Sequence, residues 1–83
     1  MEKIADIEHA VKDTLAQSLD IDISKIKNHS LLVEDMGIDS FGFAELSFAV
    51  QEKFKLEISN EDAQNMKTVN DIIAYINNRL KKE

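Results

Sequence analysis

Ile4, Ile7, Val11, Leu15 and Leu19 recur at steps of three and four residues, with Lys3, Glu8, Lys12 and Asp13 between them. That period fits one face of an α-helix; on a strand the apolar residues would alternate. It returns near the end of the chain in Ile72, Ile73, Ile76 and Leu80. No run of alternating apolar residues lies between, and proline is absent. Each stripe has to be covered by another element, so the sequence predicts helices packed on helices. A chain of 83 residues buries only roughly 60% of its unfolded surface, which supports one core, so residues 1–83 are expected to form a single domain.

Local signals place the remaining helices. "SNED" sets Ser59 three residues before Asp62, and "TVND" sets Thr68 three before Asp71, both capping boxes with Asp in place of Glu or Gln. The first predicts a short helix and the second a longer one ending near Leu80. Gly37 interrupts the chain, and a helix is expected from Asp39 or Ser40 to about Phe54, stopped by "KLEIS". "DIDISKIKNHS" holds Ile21, Ile23 and Ile26 without sustained period and reads as an ordered loop. The expected fold is all-α, a four-helix bundle with three longer helices and one short helix.

Composition removes several functions. Without cysteine there is no disulfide, thiolate metal cluster or cysteine nucleophile, so thiol chemistry requires an added group. No apolar run approaches the roughly 18 residues of a membrane span, and "MEKIADIEHAV" lacks a signal-peptide core. A cytoplasmic protein without membrane insertion is expected. The whole formal charge of −6 sits in residues 34–62, where eight acids face only Lys53 and Lys55. Such a segment repels nucleic acid, opposes self-association in favour of a monomer, and steers basic protein surfaces toward itself. The plainer alternative is a solvated face that aids solubility.

Three catalytic or metal-binding readings fail on spacing. Asp20, Asp22 and Ser24 start like a calcium loop, but Lys25 stands where the turn needs glycine and Leu31 where a bidentate glutamate belongs. His9 and His29 have no accompanying ligands, and no metal site is expected. Ser40 lacks the G-x-S-x-G elbow of a hydrolase. No catalytic residue is assigned.

The second helix carries two apolar stripes. At 100° per residue, Phe43, Leu46, Val50 and Phe54 fall in one sector of about 80°, the core face. Phe41, Ala44 and Phe48 fall in another, with Glu45 and Glu52 alongside. Either the second stripe is a docking patch, or the helix is central and buries both.

The residues "VEDMGIDSFGFAEL", followed by "VQEKFKLEISNEDAQNMKTVNDIIAYIN", resemble an acyl carrier protein over nearly the whole chain. The resemblance implies a bundle of acyl-carrier type. It also implies that Ser40 carries 4′-phosphopantetheine, transferred from coenzyme A by a phosphopantetheinyl transferase, with Asp39 as the other half of the attachment motif. A serine in the first turn of a helix suits a phosphodiester, because unsatisfied N–H groups and the positive end of the macrodipole lie beside it. By the same resemblance, Phe41, Ala44, Glu45, Phe48 and Glu52 form the surface read by acyltransferases, synthases or ligases with basic docking surfaces. Phe43, Leu46, Val50, Ile58, Ala63, Ile72 and Ile76 are candidates to line a cavity for the acyl chain, or else simple core packing. Phe41 and Gly42, where the fatty-acid type usually has leucine and an acid, together with Lys53 and Lys55, imply a carrier serving a specialised pathway. A carrier of aminoacyl, peptidyl or polyketide intermediates, and an adaptor of the same fold that never receives the arm, remain as alternatives.

Overall fold

The computed structural model describes residues 4–81, with side chains from 6 to 80. The place of Ile4 in the first stripe lies outside the described side chains. The described chain forms α1 (Ile4–Leu19), a 3₁₀ turn (Ile23–Lys25), α2 (Ser40–Phe54), α3 (Asn60–Gln64) and α4 (Val69–Lys81). Three helices are long and one is short, and no strand occurs among the described residues. The apolar stripes of α1 and α4 meet as their periods require: Ile7, Val11, Leu15, Val69, Ile72, Ile73 and Ile76 are all buried. Leu46 and Val50 bring the core face of α2 onto this cluster. Phe43 and Phe54, expected in the same sector, are only half-buried and pack on its margin. Phe43 lies in the first turn of α2 and Phe54 is its last residue.

The segment between α1 and α2 is ordered by its polar groups. Asp20 takes the left-handed conformation at φ 56°, and Asp22 caps the 3₁₀ turn by accepting the Ser24 N–H at 3.0 Å. The Ser24 bonds hold the Asp22 carboxyl below its ordinary range. Farther on, Leu32 N–H donates to Lys67 C=O, Val69 N–H to Ser30 C=O and Asn70 N–H to Asn28 C=O, pinning this segment to the start of α4. Leu32 and Ile38 are thereby driven into the core although they belong to no helix.

The two capping boxes behave differently. At α4 the exchange is reciprocal: Asp71 N–H donates to Thr68 Oγ1 at 3.1 Å, and Thr68 N–H donates to Asp71 Oδ2 at 3.0 Å. At α3 only the forward half forms, with Asp62 N–H donating to Ser59 Oγ. The Asp62 carboxylate instead accepts the Tyr75 hydroxyl at 2.8 Å, and Arg79 donates to that hydroxyl and to Glu57 C=O. A short helix that cannot stabilise itself is thus clasped to α4.

Candidate functional site

Gly37, at φ +68°, turns the chain into the extended residue Asp39, and α2 starts immediately after it. Asp39 is the N-cap: its Oδ1 accepts the Gly42 N–H at 2.7 Å while its carbonyl accepts the Phe43 N–H. Ser40 is therefore the first residue of the helix and is not needed as its cap. It is exposed, and its hydroxyl has no hydrogen-bond partner among the described residues. Within the same set, the N–H groups of Ser40 and Phe41 have no acceptor either. A free nucleophilic oxygen thus stands beside two free donors at the positive end of a 15-residue helix. That environment fits a phosphodiester on Ser40. Gly42 belongs to it too, because a Cβ there would stand 3.1 Å from Asp39 Oδ1 and crowd the cap.

The rest of the expected recognition surface follows α2 outward. Phe41 is 74% exposed and Phe48 64%, so the helix does not bury both stripes. Ala44, Glu45 and Glu52 are exposed beside them. The single ion pair among the described residues joins Glu8 to Lys12 on α1, and no acid of α2 takes part in one there.

An open groove of about 830 Å³ begins at Ser40 and runs between α2 and α3. Val33, Ile38, Ala44 and Gln64 contribute to its walls. Behind it lies a cavity of about 20 Å³, close to the volume one water requires. Phe43, Ser47, Ala63 and Met66 line both spaces and form the partition between them. Of the residues expected around an acyl chain, Phe43, Leu46, Val50, Ile58, Ala63 and Ile72 line the small cavity. Ile76 does not: it is fully buried on α4 elsewhere in the core. Ser47 and Met66 line the cavity without having been expected there. Ser47 is one position on from Leu46 and reads as polar surface, and Met66 lies in the break between two helices, where no period marks its direction.

Comparison with known proteins identifies the family. Residues 9–76 match the model of the phosphopantetheine attachment site. An acyl carrier protein of Buchnera aphidicola is 40% identical over 92% of this chain and 96% of its own length. Another, of Chlamydia caviae, is 38% identical over 88% of this chain and 95% of its own. A solved structure from Mycobacterium tuberculosis, described as an acyl carrier protein, superposes with a TM-score of 0.80 at 34% identity, covering 86% of this chain and 95% of the other. The matched family is defined by attachment of phosphopantetheine, which is accordingly the cofactor class of this chain. No described helix is long and apolar enough to cross a membrane. Sequence match, helical topology and cofactor class agree: this chain belongs to the acyl carrier protein family, whose members are carriers and not catalysts.

Proposed function

We propose that Ser40 is the attachment residue and that the chain shuttles acyl groups, held as thioesters on a 4′-phosphopantetheine arm, among partner enzymes. The observation that carries this reading is the separation of roles at the start of α2: Asp39 caps the helix and leaves the Ser40 hydroxyl exposed and unpaired. The bound arm supplies the thiol that a chain without cysteine lacks. A phosphopantetheinyl transferase loads Ser40 from coenzyme A, and Asp39 orients basic groups of that enzyme. Phe41, Ala44 and Phe48 then seat in apolar recesses of acyltransferases, synthases or ligases, with Glu45 and Glu52 steering the approach. Tethering replaces free diffusion of the cargo with a high effective concentration at the docked enzyme.

The groove beside Ser40 receives the proximal part of the cargo, and the cavity around Leu46, Val50, Ile58 and Ile72 receives the chain when α3 yields. A small element tied down by few bonds opens more readily than the core. Phe41 and Gly42 at the attachment site favour a pathway with its own dedicated enzymes over general fatty-acid synthesis. Replacing the chain in its host with Ser40→Ala tests the carrier reading. Loss of function is expected, whereas retained function would identify an unmodified adaptor working through its acidic face.

A further inference from the structure

Ser47 is the one polar side chain among the eight residues that line the small cavity, and it also lines the outer groove. A chain passing from groove to cavity therefore crosses the partition to which Ser47 belongs. The state of the Ser47 hydroxyl follows from its neighbour Gln51. The Ile58 backbone N–H lies 3.3 Å from the Gln51 Oε1 atom; an N–H can only donate, so the amide oxygen faces Ile58 and the amide nitrogen faces Ser47. Gln51 Nε2 then donates to Ser47 Oγ and to Ser47 C=O, each at 3.2 Å. Ser47 Oγ is thus an acceptor toward Gln51, and its own proton has no acceptor among the described residues. A half-buried donor without a partner, on a partition otherwise formed by Phe43, Ala63 and Met66, favours an occupant with an oxygen at that point.

Resting on the carrier reading above, we propose that Ser47 is a specificity-determining residue that selects acyl chains oxygenated at the third carbon, 3-oxo or 3-hydroxy, over saturated ones. The position follows from the path. With the thioester sulfur in the groove and the tail in the cavity, the first carbons beyond the thioester lie at the partition, where Ser47 stands. The thioester carbonyl and the amides of the arm are present in every acyl form and cannot discriminate, so a preference requires the additional oxygen. Gln51 acts as a positioning residue, fixing which way the Ser47 proton is offered.

The test compares the melting temperature of the Ser40-loaded protein carrying octanoyl, 3-oxooctanoyl or 3-hydroxyoctanoyl groups, in the wild type, Ser47→Ala and Ser47→Val. One added hydrogen bond corresponds to a shift of roughly 4–8 °C in a domain of this size. The wild type should gain that much more from at least one oxygenated chain than from octanoyl, and which of the two gains more identifies the oxygen. Both variants should lose the difference while still responding to octanoyl. Equal shifts for all three chains in the wild type, a difference that survives in Ser47→Ala, or a uniform loss across all chains would overturn the proposal, the last by placing the Ser47 bond on the arm. Failure of Ser40 to load at all would instead overturn the carrier reading, and this inference with it.

Discussion

The Asp39 carboxylate accepts the Gly42 backbone N–H at 2.7 Å, one residue before the serine whose hydroxyl stays free. Capping and presentation are thus divided between adjacent residues, and substitution separates them. Asp39→Ala should destabilise the protein by about 1 kcal/mol through loss of the cap. Ser40→Ala, at an exposed first-turn position, should change stability by less than about 0.5 kcal/mol. Urea unfolding of the two variants checks this. Equal losses would mean that Ser40 shares in the capping.

Phe41 and Phe48 contribute little to folding in the proportion that they are exposed. Phe41→Ala and Phe48→Ala should leave the melting temperature nearly unchanged and raise the KM of a partner enzyme for this chain about tenfold or more, as expected for aromatic anchors in an interface. A charge reversal at Glu45 or Glu52 should act mainly on association rate and be muted at high salt. A large loss of stability in the Phe48 variant, with KM unchanged, would make the second stripe structural.

Tyr75 links α3 to α4 through the Asp62 carboxylate, with Arg79 donating to the same hydroxyl. Tyr75→Phe should cost about 1 kcal/mol, and the effect should be local. Amides of residues 60–64 should exchange faster with solvent while those of α1 and α4 keep their protection. Uniform loss of protection would show that α3 opens only when the whole fold does.

Asp71 contributes to acid sensitivity. The backbone N–H groups of Lys67 and Thr68 hold its carboxyl below the ordinary value of 3.8, with burial opposing them. Because the folded state lowers this pKa, the stabilisation is complete above the unfolded value and is lost as pH falls through the folded one. Asp71→Asn should therefore be less stable than the wild type at pH 7 and converge with it as pH falls through the lowered pKa. Unfolding midpoints measured between pH 7 and pH 2 distinguish this from a constant offset, which would remove Asp71 from the acid response.

The helices were legible in the sequence because their signals are local. Gly37, the Asp39–Ser40 pair and "KLEIS" bracket α2 at its observed limits, and Thr68 and Asp71 announce α4. What escaped depends on partners distant in the chain. Leu32 and Ile38 are buried because the segment before α2 bonds to residues 67–70, a pairing no window of sequence contains. Asp62 completes no capping box because Tyr75, thirteen residues on, takes its carboxylate. At the site, the motif put Ser40 at the start of α2, where the structure has it; angular separation divided the two stripes of α2 but left open whether the second is exposed. The partition of the cavity was not readable, since Ser47 reads as polar surface beside Leu46 and Met66 lies outside any helix.

Ser40 as the attachment residue is tested most directly by the intact mass of the purified chain, with peptide mapping, after incubation with coenzyme A, magnesium and a broad-specificity phosphopantetheinyl transferase. One phosphopantetheine group should be added, located on Ser40 and absent from Ser40→Ala. A folded, previously unmodified chain that gains no mass, or gains it at another residue, would contradict that assignment.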